Sequence, residues 1–196
     1  MDSIAILGMI GTFIGLVRAL PQLIQLLKAR KAHGVSVDTA GTSSVVSFGW
    51  ATYGLLTDQA YVTLATGSSG IIFALIVFFA IRFGRSWREI RVTALWILVL
   101  ALSKVLGGTA GLGIALPLSV IIANAPQIMV AYKEGDLSDL SLGTWLLSLA
   151  DGLVWGIYAL IGHDYSILGY GIFQLMTSGA IAAFKLAHQR KVKNTA

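Results

Sequence analysis

The chain has 196 residues, of which 56% are hydrophobic and only 12% charged, with a mean hydropathy of +0.81. A soluble domain carries roughly a quarter charged residues, so this composition excludes an ordinary soluble protein and points to an integral membrane protein. The absence of cysteine excludes disulfides and thiolate metal sites. The net charge of +5 could suit a nucleic-acid partner, but the positions of the charges explain it better.

A helix crossing a ~30 Å hydrocarbon layer needs about 20 predominantly apolar residues. Seven apolar stretches are read as spans, in chain order 4–27, 39–56, 61–82, 93–104, 112–132, 140–161 and 165–185, the fourth being the shortest. The first follows Asp2 rather than a basic segment and is too long for a signal-peptide core, so it is expected to be retained. The expected fold is an all-α membrane protein of seven transmembrane helices with short connections.

The loop charges set an orientation. Lys28, Arg30 and Lys31 follow the first span, Arg82, Arg85, Arg88 and Arg91 lie between the third and fourth, and Lys133 follows the fifth. Lys185, Arg190, Lys191 and Lys193 close the chain, so these basic residues share one side, while Asp58, His163 and Asp164 lie opposite and Lys104 is marginal. By the positive-inside rule the N-terminus is outside and the C-terminus cytoplasmic, in a multi-pass protein assigned to the cell membrane. The expected surroundings are the lipid bilayer, with no nucleic acid and, secondarily, weak attraction to anionic lipid.

One pattern occurs twice. Pro21-Gln22, Lys28, Ser36, Thr39, Ser43, Trp50, Tyr53 and Leu55 recur as Pro126-Gln127, Lys133, Ser141, Thr144, Ser148, Trp155, Tyr158 and Leu160. The offset is constant (126 − 21 = 105) and needs no gap, which indicates an internal duplication. Two three-helix repeats, 1–85 and 108–196, would be joined by a linker helix at 86–107. In such a 3+1+3 plan the odd helix restores parity, so both repeats insert in the same direction, a known transporter arrangement.

The doubled Pro-Gln, Ser, Trp and Tyr spacing resembles the SWEET and SemiSWEET sugar facilitators (MtN3/saliva) and the wider PQ-loop repeat family, over nearly the whole chain. The resemblance implies sugar transport by alternating access, with Trp50 and Trp155 lining a central pocket. Relatives of this architecture also carry amino acids or act as membrane receptors, so a proton-coupled amino-acid or metabolite transporter and a non-transporting receptor are the alternatives.

The residues themselves support individual roles. Proline inside a helix removes a backbone N–H and kinks it. Pro21 and Pro126 are therefore candidate hinges or simple packing kinks, with Gln22 and Gln127 able to satisfy freed carbonyls. Ser36 and Ser141 are read as helix N-caps. Ser43, Val46, Ser47 and Trp50 share one helical stripe, as do Ser148, Asp151, Gly152 and Trp155. Small polar residues ending in an indole suit a polar solute, although small residues also serve close helix packing. Trp87 and Trp145 suit an interfacial belt.

The family's asparagine, sixteen residues after each Trp, is here Thr66 and Gly171; Ser69 and Gln174, three residues further on, are the expected replacement donors on the same face. Two charges break the repeat, Arg18 (counterpart Ala123) and Asp151 (counterpart Val46). Ten and eleven residues from their span ends, both lie about 15–16 Å deep. An isolated charge there costs at least ~2.5–3.5 kcal/mol, so an Arg18–Asp151 pair or separate backbone and water partners are expected. Asp151 also suits proton coupling or a cationic solute.

His33, His163 and His188 lie in loops or the tail, and no phosphate-binding glycine loop occurs. No catalytic residue, metal site or cofactor is expected, and the protein is not read as an enzyme. One chain supplies both halves, so self-association is compatible with transport but not required.

Overall fold

The computed structural model describes residues 2–32, 35–133 and 142–195. Its described residues form six α-helices: α1 (Ser3–Ala29), α2 (Val37–Leu56), α3 (Ala60–Arg82), α4 (Val92–Lys133), α5 (Leu142–Gly162) and α6 (Tyr165–Thr195). A short 3-10 turn, Trp87–Glu89, precedes α4. The all-α membrane class stands, but the expected seven helices in a 3+1+3 plan do not. The fourth and fifth expected spans are parts of one helical run, α4, interrupted at Gly108 (φ 60°, ψ −142°). That conformation is open to glycine and strained for other residues. A side chain at Gly111 would overlap the carbonyl oxygen of Ser103. Eight residues of straight helix span about 12 Å, so this contact requires α4 to fold back at the break. Composition alone saw two apolar stretches and the glycines between them, not that helix resumes directly after a sharp bend at Gly108.

Among the described residues, five helices are long and apolar enough to cross a membrane: α1, α3, α4 over Val92–Ala125, α5, and α6 over Tyr165–His188. α2 falls short because its sequence is dominated by Thr, Ser and Gly. Large apolar side chains point outward, with Phe13 66%, Phe78 60% and Leu106 82% exposed, whereas Ser148, Asp151, Gln174 and Ser178 are buried. This distribution is the reverse of a water-soluble fold and suits lipid as the solvent. The chain is an integral, multi-pass membrane protein.

The chain divides into two compact units, Met1–Leu116 and Pro117–Ala196. In the first, α3 packs against both α1 and α2. Ala19, Leu23 and Leu26 of α1 meet Val37 and Ala40 of α2 and Ile72, Ile76 and Ala80 of α3 in one apolar cluster. Ser44 of α2 donates to the Gly70 carbonyl of α3 at 3.0 Å, a buried tie between the two helices. Ser36 caps α2 as expected, accepting the Thr39 N–H at 3.1 Å; its counterpart Ser141 and the loop residue His33 lie outside the described residues.

The start of α4 is capped from a distance. The Asp38 carboxylate accepts the backbone N–H groups of Arg91, Val92 and Thr93 at 3.1, 2.9 and 2.8 Å and the Thr93 hydroxyl at 2.9 Å. A helix start leaves such donors without intrahelical partners, and here α2 supplies the acceptor. Partial desolvation raises the Asp38 pKa, but the hydrogen bonds from Thr93, Val92 and Arg91 together outweigh it and hold the group below the ordinary carboxylate value of 3.8. The approach requires Gly41, where a Cβ would lie 2.5 Å from the Thr93 hydroxyl.

In the second unit α5 packs along α6. Glycines set the closeness: a Cβ at Gly171 would lie 2.7 Å from the Gly156 Cα and 2.9 Å from both the Gly152 carbonyl oxygen and the Gly156 nitrogen. Ala131 and Ile181 form an apolar cluster with Ile128, Trp145 and Phe184.

Candidate functional site

Trp50 is 6% exposed, and its ring meets Tyr53 edge to face at 5.7 Å and 81°. Trp155, 105 positions on, is 7% exposed and meets Tyr158 edge to face at 5.2 Å and 68°. One aromatic pair at i, i+3 thus recurs in both units with the same geometry. Edge-to-face contact fixes each indole and leaves its ring orientation set by a neighbour in its own helix.

The polar groups around the two tryptophans differ. On α2, Ser43, Val46 and Ser47 are half-buried beside Trp50. On α3, the Thr66 hydroxyl donates to the Val62 carbonyl at 2.6 Å and the Ser69 hydroxyl to Ala65 at 2.9 Å. Such back-bonding satisfies a hydroxyl where water is absent. Ser69 also lies against α1, 3.2 Å from where a Cβ on Gly15 would stand.

In the second unit Ser148 and Asp151 are 2% and 3% exposed on α5. Asp151 Oδ2 accepts the Tyr170 hydroxyl of α6 at 2.5 Å. Gln174 is buried with its amide donating to the Ser178 hydroxyl at 3.1 Å, and Asn124 of α4 donates to the Thr177 hydroxyl at 2.8 Å. Gly171 is the seam between α5 and α6 and offers no polar side chain, so the asparagine-equivalent position acts in helix packing there.

The expected hinges lie inside continuous helix. Pro21 falls within α1 and Pro126 with Gln127 within α4, while Gln22 is exposed on α1. An open groove of about 630 Å³ is lined by Pro21, Ile24, Gln25, Lys28 and Ala29, all of α1. Arg18 is on the exposed side of α1 in the first unit, and Asp151 is in the second. Among the described residues no group of three or more His, Cys, Asp or Glu is arranged to hold a metal.

Tyr170, Asn124, Thr177 and Ser178 went unnoticed in the sequence. Their counterparts 105 positions earlier are Ala65, Ala19, Ile72 and Phe73. Reading the repeat for departures, as was done for Arg18 and Asp151, would have found them.

No family model matches the chain. A 55-residue segment is 36% identical to an uncharacterized protein of Methanocaldococcus jannaschii, covering 28% of this chain and only 58% of that protein. A 77-residue segment is 27% identical to the sugar transporter SemiSWEET of Bradyrhizobium diazoefficiens, covering 39% of this chain and 90% of that one. The fold matches the structure of a eukaryotic SWEET transporter with a TM-score of 0.72 over 96% of this chain and 100% of that one, at 13% identity. In fold and in matched sequence, the chain is SWEET/SemiSWEET-like.

Proposed function

We propose that the protein is a membrane facilitator for a small polar solute, most favourably a sugar, built on an internal duplication and working by alternating access. The observation that carries this reading is the matched Trp–Tyr pair, Trp50–Tyr53 and Trp155–Tyr158, held edge to face in each unit. A fixed indole offers a flat apolar face to a sugar ring, and hydroxyls on the same stripe, Ser43, Ser47 and Ser148, offer hydrogen bonds. The SemiSWEET relative supports the duplication: 77 residues are 90% of it, so it has about 86, close to one 105-residue period of this chain.

The polar recognition is unequal. Thr66 and Ser69 bond within α3, and Gly171 packs helices, so the second unit's Asp151, Ser148 and Gln174 carry more of the polar contact. Pro21 and Pro126 accommodate the bending of α1 and α4 that opens one side while the other closes. The basic residues of the connections favour an outside N-terminus and a cytoplasmic C-terminus. The buried carboxylate of Asp151 is the observation that favours a second reading, a proton-coupled carrier of amino acids or other metabolites.

Flux into liposomes containing the purified protein, with labelled sugars and amino acids, tests the reading. Saturable uptake of a sugar supports it; saturable binding of a solute without flux would establish a receptor instead.

A further inference from the structure

The connection between α3 and α4 is a fixed structure. α3 has 23 residues, about 34 Å of helix, which matches a ~30 Å hydrocarbon layer and brings Arg82 to its boundary. Val92 opens the next span, so residues 83–91 run along the membrane surface. Within them the Ser86 hydroxyl accepts the Arg88 N–H at 3.3 Å, and Glu89 Oε1 accepts the Ser86 N–H at 3.1 Å. Arg85 Nη2 donates to Glu89 Oε2 at 2.6 Å, and Asp38 holds the far end through the N–H groups of Arg91 and Val92. Phe83 and Ile90 pack against the apolar cluster of α1, α2 and α3. What remains outward is basic and aromatic: Arg82, Arg88 and Arg91 are exposed, and Trp87 is 69% exposed.

The charge at this end is not balanced within the first unit. Ala32 belongs to the same apolar cluster, so the α1–α2 connection brings Arg30 and Lys31 to this end as well. The unit's acidic residues are Asp2, Asp38, Asp58 and Glu89, and Asp2 and Asp58 lie at the opposite helix ends. Asp38 is engaged by the start of α4 and Glu89 by Arg85. Among the described residues, the side chains of Arg30, Lys31, Arg82, Arg88 and Arg91 have no hydrogen bond or ion pair. Such groups attract anions from outside the chain. Trp87 indicates which kind. At the end of a span an exposed indole settles at headgroup level, its ring toward the acyl chains and its N–H toward water. The guanidinium fork beside it matches the oxygens of a phosphate.

We propose that the α3–α4 connection, through Arg82, Trp87, Arg88 and Arg91, is a binding site for anionic phospholipid headgroups in the leaflet at this end of the protein. The inference is independent of the solute and of the transport cycle. It is also narrower than a diffuse attraction to loop charge, because the capped turn presents its arginines around one indole. Each basic residue near an anionic surface contributes about a fivefold gain in affinity, so three contribute roughly a hundredfold before screening by salt.

The test uses full-length protein in phosphatidylcholine vesicles carrying a minor fraction of brominated phosphatidylglycerol or, in a parallel set, of brominated phosphatidylcholine. Bromine quenches nearby indoles, and the part of the quenching lost in Trp87→Phe is the signal of Trp87. Phosphatidylglycerol should reach half of this quenching at a content at least about tenfold lower than phosphatidylcholine does. The triple variant Arg82→Gln, Arg88→Gln, Arg91→Gln should bring the two lipids within about twofold. Removing the same charge from the C-terminal tail, by Arg190→Gln, Lys191→Gln and Lys193→Gln, should leave the preference in place. Equal quenching by the two lipids in the unmodified protein would overturn the site. So would a headgroup preference that survives Trp87→Phe, or one lost equally in the tail variant, since the charge would then act without the turn. The unmodified protein by itself decides the preference, so misfolding of a variant cannot shield the proposal.

Discussion

Replacing Gly171 by Asn would restore the residue that the family resemblance places there, and the structure gives reason to expect harm. A Cβ at this position would stand 2.7 Å from the Gly156 Cα and 2.9 Å from the Gly152 oxygen and the Gly156 nitrogen. All three are backbone atoms of α5, so no side chain can swing aside. An ordinary carbon–carbon contact is about 3.5–4.0 Å, so α5 and α6 must part by about 1 Å. Forcing extra atoms into a packed interior costs about 1–3 kcal/mol, a factor of roughly 5 to 150 in the folding equilibrium. Melting followed in detergent or lipid should show a drop of about 2–4 °C per kcal/mol, from Gly171→Ala already and more for Gly171→Asn. Gly107→Ala is the control, since nothing lies within 4 Å of its Cβ. A Gly171→Asn protein that melts like the unmodified one and transports a sugar better would refute the packing account and return this position to solute recognition.

Other consequences are open to measurement. Asp38→Ala should destabilise by about 1 kcal/mol through loss of the α4 cap. The depressed Asp38 pKa adds a pH signature: its contribution is complete above 3.8 and is lost as the pH falls below that value through the folded pKa. Melting temperatures at neutral and acid pH should therefore converge with those of Asp38→Asn only under acid. Gly108→Ala should cost about 1–3 kcal/mol, because the φ 60°, ψ −142° backbone strains any side chain; an unchanged melt would refute it. Trp50→Ala and Trp155→Ala should each reduce exchange at least tenfold with the protein still monodisperse, and equal activity to the unmodified protein would dismiss the indoles from recognition.

Much of this was legible because the duplication repeats local chemistry. The burial of the two tryptophans and the Ser36 cap could be read because each follows from residues one or two turns apart. Glycine at 171 looked like a lost ligand in the sequence; only the crossing of α5 and α6 reveals it as a contact. The Asp38 cap joins residues 53 to 55 positions apart, and no periodicity announces such a meeting. The count of helices failed for a related reason. Hydropathy measures apolar length, and α2, with its Thr, Ser and Gly, falls short as a span, while the two apolar stretches of α4 meet at a sharp bend at Gly108.

The Asp38 cap has a bearing on how the protein is made. Its acceptor is synthesised more than fifty residues before its donors, and both fall within Met1–Leu116. The start of α2 therefore waits with an unfilled carboxylate until the ribosome has delivered the start of α4. Once that residue arrives, the first unit can lock before any of α5 or α6 exists. A released chain ending near residue 116 should then already resist proteolysis at the 82–92 connection.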